Sequence, residues 1–197
     1  MTATAETLDH EELLHLAIHA SQNSQTEQAI DYLKRSLDLS PENGQALYLL
    51  GSLHAEIGLY ERAIGEIEQA VSLAPEIETA HFQLGLLYVT LADVEKAKKA
   101  WEKLDHLNKD HYLYLFKDGI TTLLDDDFEG CIKKLKQGIM NNDINPPLNG
   151  DMLKLIQATE HAKHILAADG MQDPNAINTQ KTGKQVVLSA YNNNLDN

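Results

Sequence analysis

The feature that most constrains the fold of this chain is a pattern that returns every 34 residues. Gly51, Gly85 and Gly119 stand at this spacing, and so do Pro41 and Pro75. A further set of small residues keeps the same step: Ala29, Ala63, Ala97 and Cys131. Several residue classes that share one period indicate an array of stacked structural repeats, in which each unit buries its apolar face against its neighbours.

Each repeat unit contains the pattern of two helices with a short break between them. In residues 44–77, apolar residues recur at helical spacing on both sides of Gly58. Gly51 and Ala63 place small residues where two helices must approach closely, and Pro75 ends the second helix because proline has no backbone N–H to donate. The pattern therefore predicts an antiparallel helix pair in each 34-residue repeat.

The residues that recur resemble the tetratricopeptide repeat family, and in particular its small bacterial-type adaptors. In the second repeat, residues 44–77, the matching residues are Leu47, Leu50, Gly51, His54, Tyr60, Ala63, Ile67, Ala70 and Pro75. The other repeats cover 10–43, 78–111 and 112–145. The last is the most diverged, with Asp118 where the family has leucine. The resemblance implies an all-α, right-handed α-solenoid of four helix pairs.

The sequence on either side of the repeats predicts three further segments. Residues 1–9 are expected to form an N-terminal extension. An amphipathic stretch over 146–168 is expected to cap the array, because the last repeat otherwise exposes an apolar face. The polar composition of 169–197 predicts a flexible tail. Within it, the apolar patch 185–191 is either loosely ordered or a motif that docks on the chain's own groove, on a neighbour or on a partner.

Composition and charge argue against several classes of function. The formal net charge of -14 repels phosphate backbones, so we expect no nucleic-acid partner. The apolar runs are too short for a transmembrane helix, and the first ten residues lack the features of a signal peptide. The single cysteine, Cys131, cannot form an internal disulfide. We therefore expect a cytoplasmic protein that does not insert into membranes.

The family resemblance also suggests where a partner would bind. In this family the first helix of each repeat lines an inner, concave face that commonly holds a protein or peptide. The corresponding residues here are Leu14, Ile18, Tyr48, Ser52, Phe82, Leu86, Val89, Phe116 and Ile120. Tyr48, Phe82 and Phe116 are the expected aromatic anchors. The face becomes more apolar toward the fourth repeat, where either a partner or the chain's own capping helix or tail is expected to cover it.

No arrangement of residues predicts catalysis or a cofactor. The chain has no phosphate-binding glycine loop, no serine elbow and no His-Glu-x-x-His motif. The pairs His15/His19 and His161/His164 each share a helix face, but a zinc site needs three or four ligands, so we expect no metal. The run 125–127 of three aspartates is expected to cap the helix that follows it.

These observations predict a non-catalytic adaptor or scaffold that binds a partner segment in its concave groove. The alternative is a cytoplasmic chaperone that holds an exported or assembly-bound client, as small repeat proteins of bacterial secretion systems do. The carboxylate grip found in co-chaperones of this family is excluded, because the matching positions carry no cation: Leu14, Ile18, Leu49, Thr79 and Gln83. A homodimer and a monomer both remain open at this point.

Overall fold

The computed structural model describes residues 8–169 and 183–192, and within these ranges every regular element is a helix. The helices of this part are α1 (His10–Gln22), α2 (Thr26–Leu39), α3 (Gly44–Glu56), α4 (Tyr60–Leu73), α5 (Glu78–Thr90), α6 (Val94–Glu102), α7 (Tyr112–Leu124), α8 (Phe128–Met140), α9 (Pro146–Asp169) and α10 (Gly183–Asn192). The predicted all-α fold is confirmed.

The chain divides into two compact units, Met1–Leu84 and Gly85–Asn197, with the boundary inside α5. In the first unit α1 packs on α2, α2 on α3, and α3 on α4. In the second unit α7 packs on α8 and α8 on α9, and α10 contacts both α7 and α9. The predicted succession of packed helix pairs is therefore present in each unit.

The recurring glycines mark the places where the two helices of a pair touch. A β-carbon at Gly51 would lie only 2.6 Å from Cγ1 of Ile67, a separation that van der Waals repulsion forbids. At Gly85 the indole of Trp101 occupies the same space, and Gly119 repeats the arrangement in the last pair. The 34-residue period of glycine thus has a physical cause, because any side chain at these positions would push the pair apart.

The turn inside each helix pair carries one residue with a left-handed backbone. These residues also follow the 34-residue period, and they are Ser24 (φ 57°), Gly58 (φ 79°), Ala92 (φ 64°) and Asp126 (φ 63°). Glycine adopts this conformation without strain, whereas a residue with a β-carbon does so at a cost. Glycine marks this left-handed position only at Gly58, since Ser24, Ala92 and Asp126 all carry a β-carbon.

Side chains cap the N-termini of several helices. Asp9 accepts hydrogen bonds from the first turn of α1, and Asn43 accepts one from the N–H of Ala46 at 3.0 Å. In the last pair Oδ1 of Asp127 accepts from the N–H of Gly130 at 2.8 Å, which confirms the predicted capping role of the aspartate run.

The C-terminal part differs from the expected flexible tail, because 183–192 form α10. Val186 and Val187 on this helix are fully buried. β-Branched residues favour strands in isolation, but burial against neighbouring helices decides the conformation here. The other parts of the expected tail, at 170–182 and 193–197, lie outside the described residues, as do residues 1–7 of the expected N-terminal extension.

Candidate functional site

In the first unit, the predicted binding residues fall into a half-buried and a buried group. Leu14 and Phe82 are buried, the latter with 1% of its surface exposed. Ile18 is partly buried against a core cluster that α1, α2 and α3 share. Tyr48 and Ser52, on α3, are half-buried. The accessible part of this face therefore consists of Ile18, Tyr48 and Ser52, and the expected anchor Phe82 does not present its ring to solvent.

A polar contact fixes the middle of this face. The hydroxyl of Ser52 lies 2.9 Å from the backbone oxygen of Tyr48 and 3.1 Å from Oε1 of Gln83. It therefore connects α3 to the N-terminal half of α5 inside the first unit. Tyr48 and Ser52 are four residues apart on α3 and so share one helix face, which combines apolar area with hydrogen-bonding groups.

In the second unit, the predicted binding residues are all buried. Leu86 and Val89 lie on α5, and Phe116 and Ile120, both 0% exposed, lie on α7. The ring of Phe116 meets that of Tyr112 edge-on at 5.9 Å. It also fills the space that a β-carbon at position 138 would need, 2.5 Å away, which accounts for a glycine there. Phe116 is thus a core residue between α7 and α8, where the sequence predicted an exposed anchor.

The C-terminal helix α10 lies on α7 and α9, so the chain itself occupies the fourth-repeat end. The N–H of Gly183 donates a hydrogen bond to Oδ1 of Asp126 at 2.6 Å. A β-carbon at Gly183 would overlap the backbone oxygen of Leu123, so the start of α10 approaches α7 as closely as a glycine allows. Part of the expected tail therefore contacts α7 as α10, and the expected capping helix, α9, packs on α8 and α10.

The sequence contained only a weak sign of this contact. The patch 185–191 stood out as apolar in a polar setting, but its valines and tyrosine favour a strand. Gly183 is separated from the patch by a single residue, and its role depends on the carbonyl of Leu123, 60 positions earlier in the chain. Such a contact has no local pattern, so sequence reasoning missed Gly183 and Asp126 as a pair.

The candidate chemical groups of the chain are used for packing. Burial raises the pKa of the Cys131 thiol to about 12, with a smaller lowering by its hydrogen bond with Thr159, so the thiol is protonated at neutral pH. Nδ1 of His54 lies 2.5 Å from Oε2 of Glu66, and Nε2 of His81 lies 3.0 Å from the oxygen of Pro75. Both histidines are buried, so each is a hydrogen-bonded packing residue.

Among residues 8–169 and 183–192, no three His, Cys, Asp or Glu side chains come together in a way that would hold a metal ion. Over the same described part of the chain, no helix combines the length and the hydropathy that crossing a bilayer requires.

Comparison with known sequences supports the repeat pattern. Models of the family described as "Tetratricopeptide repeat" match residues 14–76 and residues 78–111. Together these matches cover most of the first three predicted repeats. No curated protein matches the chain significantly.

Comparison with solved structures gives the same helical architecture. The chain is 18% identical to TTC0263, a thermophilic TPR protein of Thermus thermophilus, with a TM-score of 0.63 over 94% of this chain and 98% of that one. It is 24% identical to MamA, with a TM-score of 0.58 over 70% of this chain and 80% of that one. A mutant O-GlcNAc transferase from Thermobaculum terrenum is 25% identical, with a TM-score of 0.58 over 71% of this chain but 27% of the transferase chain.

Proposed function

This chain belongs to the tetratricopeptide repeat family, and from that premise we propose that it is a non-catalytic adaptor or scaffold in the cytoplasm. Repeats of this family are protein-interaction modules, so a protein or peptide is the expected partner. The proposed binding surface is the inner face of the first unit. We define this first-unit face by Ile18, Tyr48 and Ser52.

The partial exposure of Tyr48 is the observation that carries this proposal. Leu14 and Phe82 hold the equivalent positions of the first and third repeats and are buried, whereas Tyr48 keeps part of its side chain at the surface. Tyr48 and Ser52 add a phenol and a hydroxyl at a surface that also exposes aliphatic atoms of Ile18. A partly exposed tyrosine on a helix is a typical energetic anchor of protein interfaces, because it contributes a large area at a small entropic cost.

A second candidate function is a chaperone for an exported or assembly-bound client. The contact of α10 with α7 favours it, because this end of the chain accommodates an amphipathic helix. Two adjacent side chains of that helix, Val186 and Val187, are buried in the contact region. A chaperone's client would become insoluble or be degraded in cells that lack this protein, whereas an adaptor's partners would remain soluble but unassembled.

The proposal is tested by affinity capture from native lysate with three forms of the full chain. Tyr48→Ala removes the proposed anchor, and Tyr32→Ala makes the same chemical change on α2, where Tyr32 is also half-buried. We expect Tyr48→Ala to weaken capture by about 1–4 kcal/mol, while Tyr32→Ala behaves like the wild type. Equal capture by all three forms would remove the first-unit face from consideration.

A further inference from the structure

We propose that the surface of α7 beneath α10 is a second binding site, which a partner's amphipathic helix occupies by displacing α10. This α10 site is defined by Leu123, Asp126 and the buried side of α7 and α9. The inference extends the proposed function, on which it rests for the class of partner. It assigns a different surface, in the second unit, and it specifies the chemistry of the helix that would bind there.

The N-terminus of α10 defines the closest contact of the site. The first N–H groups of a helix have no partner within the helix, so they need an acceptor elsewhere. At Gly183 this acceptor is Oδ1 of Asp126, at 2.6 Å. The carbonyl of Leu123 lies so close that only glycine fits at the first helical position. A helix that binds here must therefore begin with glycine and leave its first N–H groups available.

The acidic residues where α10 begins favour a basic side chain at the second position of a helix that binds here. Asp125, Asp126 and Asp127 are all exposed, and they lie where α10 begins. The positive end of a helix dipole and a basic side chain are both stabilised by such an acidic turn. In α10 the residue after Gly183 is Lys184, which is exposed. A partner helix with a basic residue in its first turn would match this charge.

The buried residues of α10 define the apolar part of the ligand. Val186 and Val187 are 1% and 0% exposed, whereas Lys184 and Gln185 are exposed. A ten-residue helix is marginal on its own in water, so α10 depends on this contact for its structure. Tethering within one chain gives α10 a high effective concentration, which lets a modest contact keep it in place. A partner helix with a longer apolar stripe would compete with α10 despite that advantage.

The site therefore fits one kind of occupant: an amphipathic helix that starts with glycine and a basic residue and then carries two adjacent aliphatic residues. The structure supplies the example, because α10 itself has the sequence Gly-Lys-Gln-Val-Val. Displacement is what distinguishes this site from the first-unit face, where Tyr48 is already partly exposed.

The test uses a fluorescently labelled synthetic peptide with the sequence of residues 183–192 and measures its anisotropy with the full-length protein. Two variants release α10 in different ways. Gly183→Ala places a β-carbon against the carbonyl of Leu123, and Val187→Asp puts a charge at a buried position. We expect both variants to bind the peptide at least about tenfold more tightly than the wild type, because their own α10 no longer competes.

Matched controls separate release of α10 from general damage. Gly150→Ala changes a glycine of α9 whose β-carbon would meet nothing within 4 Å, so it should bind the peptide as the wild type does. A peptide that itself carries the Val187→Asp change should bind none of the proteins. Far-ultraviolet circular dichroism on each variant verifies that α1–α9 stay folded, since they contain most of the helical residues.

Two outcomes would overturn the proposal. Weak, equal peptide binding by the wild type and by both folded variants would mean that this surface does not accept a helix from outside. A wild-type dimer that the peptide dissociates would identify the occupant as α10 of a second copy instead of a foreign helix. Neither outcome affects the lysate test of Tyr48, so the two proposals fail independently.

Discussion

The helices α3 and α7 occupy equivalent places in the second and fourth repeats, yet their inner faces differ in exposure. On α3, Tyr48 and Ser52 remain half-buried. On α7, Phe116 and Ile120 are fully buried, and α10 lies against the helix. Tyr48 and Phe116 are two periods apart, so the repeat register assigns them the same role. Register thus fixes the direction of a residue, while the elements packed around it decide whether that residue is available to a partner.

The largest effect should come from truncating the two aromatic residues of this comparison. Phe116→Ala removes a ring that packs at Gly138 and Tyr112, and we expect it to lower the free energy of unfolding by about 3–5 kcal/mol. Tyr48→Ala should cost clearly less, about 1 kcal/mol, because that residue is partly exposed. Urea denaturation measures both values. Equal losses for the two variants would remove the distinction between a core face and a binding face.

A second prediction concerns the feature that both units share, the glycine at the contact of each helix pair. Gly85→Leu must displace the indole of Trp101, and we expect a loss of about 3 kcal/mol or failure to fold. Gly65→Leu is the matched control, since a β-carbon at Gly65 meets nothing within 4 Å. Thermal unfolding followed by circular dichroism compares them. A Gly85→Leu protein as stable as its control would show that the glycine period has another cause.

The repeat frame and its contacts were predictable from the sequence, because each depends on residue types at a fixed spacing. Gly51 faces Ile67, and the same offset relates Gly85 to Trp101. The burial of Phe116 was not predictable in this way, since the repeat register assigns it to the inner face, whereas its ring packs at Gly138 on α8 and against Tyr112. The helix at 183–192 was missed for a related reason, because its adjacent valines favour a strand until neighbouring helices bury them.

The third prediction uses position 131, where the second unit has cysteine and the first unit has Ala63 at the equivalent place. The folded pKa of Cys131 is about 12, above its ordinary value of 9.0, so the folded state keeps the proton that the unfolded state releases. This contribution is complete below pH 9 and is lost as the pH rises from 9 toward 12. Between pH 8 and 10 the wild type should therefore lose about 1 kcal/mol more unfolding free energy than Cys131→Ala.

The same pH series supplies its own check. If wild type and Cys131→Ala lose stability in parallel above pH 9, the thiol is not held neutral by burial. A thiol reagent such as DTNB, applied at pH 8, gives a second readout. Buried Cys131 should react only as fast as the protein opens, so added urea should accelerate the reaction.

The smallest predicted effect distinguishes the turns of the two units. Gly58 in the first unit and Ala92 in the second both have a left-handed backbone, at φ 79° and φ 64°. Ala92→Gly should raise the free energy of unfolding by about 0.5–1 kcal/mol because it relieves the strain of the β-carbon. Gly58→Ala should lower it by a similar amount. Opposite signs in urea denaturation support the account, and the same sign for both changes contradicts it.

Binding of a partner to the first-unit face can be detected by site-specific photocrosslinking in the native cell. The crosslinking amino acid benzoylphenylalanine replaces Tyr48 in one full-length variant and Tyr32 in another, so the two probes differ only in the face on which they lie. The account predicts that irradiation joins a protein partner to the probe at position 48 and not to the probe at position 32. Adducts that form at position 32 alone, or equally at both positions, would contradict it.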